Sequence, residues 1–373
     1  MNIMETNKNT GNVPFAAVHP TEIIKDEIKA RGMSQKELAS RMGMKTSNLS
    51  RMLKGENITP AIAAKLELAL DIPSDFWLNL QSQYEIDSRN VALRDEHEAA
   101  AIKKERILSD ILNLPELYKR LSIHPSLFIQ DKLSQLEELL GFPAHEIGHQ
   151  QFVMQTRYKK SDKLDIEEKN QTTWLLLAYI ASKNNRPKES FAKSNAKDAA
   201  WEIAEMTHRG GIKEEDIKNI LYRHGISYQV VAKLEKTPID AVAIQMSDYP
   251  AIVVTHRYNG MSKLIFNVLH ELGHIALHMD RDKETIFISS DETYSRENKL
   301  EKEANRFAED ILIPREIWSK MMSAGTKSLS NQYILKKLAQ LASEYHLNYH
   351  IVVERYRYES NHYGIGVKAI AIG

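Results

Sequence analysis

The chain contains no cysteine. That excludes disulfides, thiol nucleophiles and thiolate metal ligands, so any metal site here must use histidine and carboxylate. It also fits a reducing compartment. Long apolar runs are missing too. None approaches the roughly 20 residues of a membrane span. The stretch from Met1 to Asn12 is polar and lacks the apolar core of a signal peptide. A cytoplasmic chain is therefore expected, with residues 1–17 disordered. Excess charge of either sign is absent, with 50 Lys and Arg against 50 Asp and Glu, so global charge selects no class of partner. What is present is ordinary: 373 residues, 42% hydrophobic and 27% charged, enough for two or three globular domains.

Residues 18–84 read as an all-helical unit. Thr21 to Arg31 forms a first helix. Ser34-Gln35-Lys36-Glu37 has the form of a capping box and opens a second. Gly43 permits a tight turn, and a third helix runs from Thr46 to Leu53 before Gly55. Thr59-Pro60 starts a fourth, with Thr as cap and Pro in the first turn. Pro73-Ser74-Asp75 starts a fifth, through Phe76, Trp77, Leu80 and Tyr84, with both aromatics expected in the core. Two helices joined by a short glycine-bearing turn have the layout of a helix-turn-helix. Between Lys29 and Lys54 stand seven basic residues and one acid, Glu37, which is the footprint of a phosphate-binding surface.

This segment resembles the Xre/HigA family of helix-turn-helix regulators and antitoxins. The resemblance rests on His19-Pro20, on Gly32 to Ala39 (GMSQKELA), on Asn48 to Gly55 (NLSRMLKG), on Ile58-Thr59, and on Phe76 to Gln81 (FWLNLQ). It implies that Gln35, Ser50 and Arg51 lie near phosphates, and that Thr46, Ser47, Asn48 and Arg51 face base edges. Lys36 adds a phosphate contact. One departure is Lys45, which stands where the family often has a serine cap.

Residues 85–158 are charged and helical in pattern, broken at Pro115, Pro125 and Pro143, and read as a linker without chemistry. The rest, 159–373, mixes apolar helices with strand-like runs at Ile226 to Val231, Ala241 to Met246 and Ala251 to Thr255.

These strands lead into His270-Glu271-Leu272-Gly273-His274, within a helical run. Histidines at i and i+4 share one helix face and can grip one metal ion, with the intervening glutamate as proton acceptor. The same pattern can also be a polar face on a buried helix. Downstream, Leu300, Ala304, Phe307, Ala308 and Ile311 repeat at helical spacing until Pro314. His278 continues the i, i+4 series but sits too far along the axis from His270 to complete the set.

The two stretches together resemble the ImmA/IrrE family of zinc metallopeptidase-like domains, which carry H-E-x-x-H followed by E-A-N-x-F-A-x-x-L-x-x-P. The resemblance covers roughly Ala200 to Val353. It implies that His270 and His274 are zinc ligands, Glu271 the general base and Glu303 the third ligand. Glu301 is the fallback, about 200° around the helix from Glu303, so both cannot face one ion. His256, Arg257, Tyr258 and Tyr294 are candidates to stabilise an oxyanion, and a strand edge beside the helix is expected to hold an extended peptide.

The expected fold is mostly α with a small β-sheet: an all-α helix-turn-helix domain followed by an α+β zincin-like domain. The expected function is a DNA-binding regulator, antitoxin or repressor, fused to a zinc-dependent peptidase. It is expected to act as a homodimer on a pseudo-palindromic operator and to cleave a helix-turn-helix protein or itself. The rival is a non-enzymatic protein whose zincin-like domain only recognises a toxin or another partner.

Overall fold

The computed structural model describes residues 13–149, 167–255, 260–279, 286–290, 299–323 and 330–365. The chain divides between Lys103 and Lys104 into two units.

The first unit is helical: α1 (Pro20–Ala30), α2 (Gln35–Arg41), α3 (Thr46–Met52), α4 (Pro60–Leu70) and the start of α5 (Ser74–Ile111). Local chemistry sets the starts. The Ser34 hydroxyl accepts from the Glu37 amide at 3.1 Å, while the Glu37 carboxylate pairs with Arg41. Thr59 accepts from the Ile62 amide, with Pro60 in the first turn. Lys45 precedes α3 and supplies no side-chain cap, yet α3 still begins at Thr46. Gly43 takes the left-handed conformation, φ 60°, that the tight α2–α3 turn requires. Ile24, Leu38, Leu49, Leu66 and Trp77 are all completely buried and centre the core. Trp77 is thus core as expected. Phe76 is not: it is 44% exposed, because its neighbour on α5 occupies the inward face. Helix α5 was expected to end near Tyr84 but continues to Ile111. The sequence holds no proline or glycine from Glu85 to Leu114, so nothing stops it. Arg94 on this helix donates to the carbonyls of Pro14 and Phe15, within the segment expected to be disordered. Residues 1–12 lie outside the described residues.

The second unit opens with α6 (Leu114–Arg120), α7 (Ile129–Leu140) and a 3-10 turn (Ala144–His149). Then come α8 (Glu168–Asn184), α9 (Lys193–Arg209) and α10 (Glu214–Arg223). Three strands follow, β1 (Ser227–Val230), β2 (Ile239–Gln245) and β3 (Pro250–Val254). After them stand α11 (Met261–Leu277), β4 (Ile286–Ser290), α12 (Lys299–Leu312), α13 (Arg315–Ser323), α14 (Asn331–Glu344) and α15 (Tyr349–Ser360). Residues 113–140, within the segment read as a linker, make contacts with later elements of the second unit. The Asn113 amide donates to Thr173 Oγ1 at 2.9 Å, and Arg120 donates to the carbonyls of Ala232 and Lys233. Leu117 and Leu136 are completely buried.

The sheet has the order β1-β3-β2-β4. β1 runs parallel to β3, with Tyr228 opposite Ile252; β2 is antiparallel to β3, with Val242 opposite Val253, and to β4. Every residue of β3 is buried, as expected of an apolar strand covered on both faces. α11 packs on β2 and β3 and against α9 and α12. The molecule is therefore mostly α with one small sheet, and the sheet supports the helix that carries the histidines.

Candidate metal centre and nucleic-acid interface

α11 carries a wholly buried run from Val268 to Ile275, which includes His270, Glu271 and His274. Apolar neighbours force this polar trio inward: Val268, Leu269 and Leu272 are completely buried on the same helix. α12 packs directly across it. The close approach depends on Gly273. A Cβ there would stand 3.0 Å from Ala304 Cα and 3.1 Å from its carbonyl oxygen.

Three side chains converge between these helices. His270 Nε2 lies 3.0 Å from His274 Nε2 and 3.2 Å from Glu301 Oε2, and His274 Nε2 lies 3.5 Å from Glu301 Oε1. All three residues are buried, and their ligand atoms lie within 4.8 Å of one another. Around a tetrahedral zinc with bonds of about 2.1 Å, neighbouring ligand atoms stand about 3.4 Å apart. Two imidazole nitrogens and a carboxylate oxygen at these separations fit that ion in number, type and spacing.

The third carboxylate is a correction. Glu303 was expected beside the histidines, with Glu301 as fallback, and the structure brings Glu301 there. The cause is helical phase. Glu301, Ala304, Ala308 and Ile311 form the buried stripe of α12, spaced three or four residues apart. Glu303 lies two positions from Glu301 and off that stripe, with 37% of its side chain exposed. Its Oε2 is instead 3.0 Å from His278 Nε2. His278 in turn sets Nδ1 3.1 Å from His274 Nδ1, and Asn305 Oδ1 lies 2.8 Å from His270 Nδ1. The sequence reading gives Asn305 no role of its own and sets His278 aside as too far along the helix axis from His270.

Burial and hydrogen bonding set the protonation of the group. Burial disfavours charge on His270, but the Glu301 hydrogen bond and the charges of Glu271 and Glu301 outweigh it and raise its pKa. Burial dominates at His274 and lowers its pKa to about 4. Burial also opposes ionisation of Glu301, yet hydrogen bonds from both histidines hold its pKa far below the usual carboxylate range. A carboxylate held toward its ionised form, beside a His274 imidazole whose charge is disfavoured by burial, suits cation binding. The candidate oxyanion residues His256, Arg257, Tyr258 and Tyr294 lie outside the described residues.

In the first unit, Gln35, Lys36, Thr46, Ser47, Asn48 and Arg51 are exposed, while Ser50 is half-buried. Leu49 and Met52 turn inward and anchor α3, leaving Ser47, Asn48 and Arg51 on its outer face. Arg51 Nε is paired with Glu56 at 2.6 Å, an acid just beyond the basic stretch.

Two family models match separate parts of the chain. Residues 24–77 match the family model described as helix-turn-helix, and residues 233–357 match the IrrE N-terminal-like domain. Over 84 residues the chain is 34% identical to antitoxin HigA-1 of Vibrio cholerae serotype O1, covering 22% of this chain and 77% of that protein. The chain thus belongs, through its first unit, to the helix-turn-helix family of HigA, and carries an IrrE/ImmA-like peptidase-family domain in its second.

Proposed function

We propose that the chain is a DNA-binding regulator of the antitoxin or repressor class whose second unit is a zinc-dependent peptidase. The observation that carries the peptidase reading is the buried triangle of His270, His274 and Glu301, with Glu271 between the histidines. These three residues would hold the ion. When bound, zinc supplies Lewis acidity and an acidified water at neutral pH. Glu271, one helix position from His270, is the group to accept a proton as a peptide carbonyl is attacked. The exposed, net basic surface of α2 and α3 supports DNA binding by a dimer on a pseudo-palindromic site.

The preferred substrate is an extended segment of a helix-turn-helix protein. This chain's own linker is less suited, since Glu85 to Ile111 is continuous helix and a peptidase groove takes extended backbone. One observation favours the rival, non-enzymatic reading. His274 and Glu271 are completely buried, and a closed site is typical of structural rather than catalytic zinc. In that reading the second unit only recognises a toxin or other partner.

The full chain should carry close to one zinc and bind duplex DNA at low salt. Glu271→Gln should retain both. It should fail, however, to cleave helix-turn-helix polypeptides and should stay on the operator under conditions that release the parent. Identical behaviour of parent and Glu271→Gln in every cleavage and release assay would leave the partner-binding account standing.

A further inference from the structure

We infer that the arm Val13–His19, which precedes the helix-turn-helix, is a substrate of this chain's own metal centre, so that the protein trims its own first residues. The inference deepens the peptidase reading above and rests on it.

The arm has neither helix nor strand. It runs antiparallel to α5. Arg94 donates to the carbonyls of Pro14 and Phe15 at 3.1 and 3.2 Å, while the His19 ring lies against Tyr84, nearer the start of that helix, with centroids 4.6 Å apart. Between these ties the large side chains face water: Phe15 is 93% exposed and Val18 62%. Ala16 is exposed as well. Among the described residues, no backbone–backbone hydrogen bond engages Val13–Val18. A peptidase takes backbone that is accessible and free to extend into its cleft. Residues 53–59, the other long non-helical stretch of the first unit, fail on both counts. Leu53 and Ile58 are buried, the Gly55 and Glu56 amides bond the Met52 carbonyl, and the Ile58 amide bonds Gln81.

Arg94 acts as the clamp. Asp95 accepts from its Nε and Nη2 and so orients the guanidinium. The Phe15 carbonyl it holds must come free before the arm can be cut. The reaction is hydrolysis. Water adds to the carbonyl carbon of Phe15, Ala16 or Ala17, and the following C–N bond breaks. The water oxygen stays on the new carboxylate, and Glu271 carries the proton to the departing nitrogen. Every such cut falls before the His19 cap, whose Nδ1 accepts from the Thr21 amide, and before Pro20. The helices of the first unit therefore stay whole, and the product is one discrete shortened chain.

The test starts from the metal-free full chain and adds zinc. Intact mass and N-terminal sequencing should show a new N-terminus at Ala16, Ala17 or Val18, with the rest of the chain whole. Glu271→Gln should stay uncut. Arg94→Ala should be cut about fivefold faster or more, because cleavage follows the fraction of released arm and two clamp hydrogen bonds are gone. Circular dichroism checks that this variant folds. Binding gives a readout without turnover. A fluorescent peptide of residues 10–21 should bind the zinc-loaded Glu271→Gln chain, and its Phe15→Asp form about tenfold more weakly. A parent that cuts unrelated helix-turn-helix polypeptides yet spares its own arm overturns this inference alone. A parent that cuts neither removes the peptidase reading and the inference with it. Trimming of Glu271→Gln at the parent's rate, equal rates for Arg94→Ala and the parent, or a peptide that does not bind each overturn it as well.

Discussion

Two glutamates two residues apart on one helix have opposite fates, and a charge-for-charge comparison cannot tell them apart. Glu301 is almost completely buried and sits against two imidazoles, whereas Glu303 pairs with Lys299 and the outer His278. Glu301→Ala should therefore abolish stoichiometric zinc. Glu303→Ala should keep one zinc per chain at saturating metal, with weaker affinity; elemental analysis after dialysis against graded chelator separates the two. The distinction was legible in the sequence in one respect. Ala304, Ala308 and Ile311 mark the inward stripe of α12, and Glu301 continues it. Reading the motif as E-A-N put the emphasis on the glutamate adjacent to Ala304 instead. Asn305 and His278 were not legible at all, because a hydrogen bond between side chains of two helices has no periodicity to reveal it.

Elements bring those residues together, and the α11–α12 contact is the most demanding. Gly273 lets the helices approach until a Cβ would touch backbone atoms of Ala304, which cannot rotate away. Gly273→Ala should separate the helices slightly and cost about 1–3 kcal/mol through overpacking, offset in part by alanine's better helix propensity. Its thermal midpoint should fall, and zinc affinity should fall with it; an unchanged midpoint and affinity would show that the contact has slack. A second junction is His208 on α9. Its Nε2 is 2.8 Å from the Leu312 carbonyl at the end of α12, and its Nδ1 accepts from the Asn348 amide before α15. Burial lowers its pKa, against a weaker opposing effect of the Leu312 carbonyl. Below the unfolded histidine pKa of about 6.5, the unfolded chain binds the proton more readily than the native one. The contribution of His208 is thus complete above that pH and declines as pH falls through it. His208→Gln should flatten this part of the stability–pH curve, as urea unfolding at stepped pH would show. The element map itself was readable where periodicity was long: the capped helices of the first unit, the three strands from β1 to β3, and α11. β4 escaped notice, as a five-residue strand next to charged sequence, and α5 was ended at the expected domain boundary although no stop signal stands there.

At the scale of the whole molecule, a chain with no net charge concentrates seven basic residues against one acid between Lys29 and Lys54, and that stretch is where contacts to DNA phosphates are expected. Lys36 is exposed at the start of α2 and Asn48 on the outer face of α3. A lysine on a phosphate releases counterions whatever the sequence, whereas an asparagine amide can pair with an adenine edge. Lys36→Ala should weaken operator and unrelated duplex alike and lower the salt slope by about one ion per site contacted. Asn48→Ala should leave the slope unchanged and narrow the gap between operator and unrelated duplex by about 1–3 kcal/mol at the position it reads. Arg51 behaves differently from both. Its salt bridge to Glu56 must loosen before the guanidinium meets DNA, so Glu56→Gln should strengthen binding to all duplexes, most at low salt. Fluorescence titrations of the four proteins over a salt series would decide among these outcomes. A parent chain that binds no duplex at low salt would remove the regulator reading, while the candidate metal centre of the second unit could still be tested by itself.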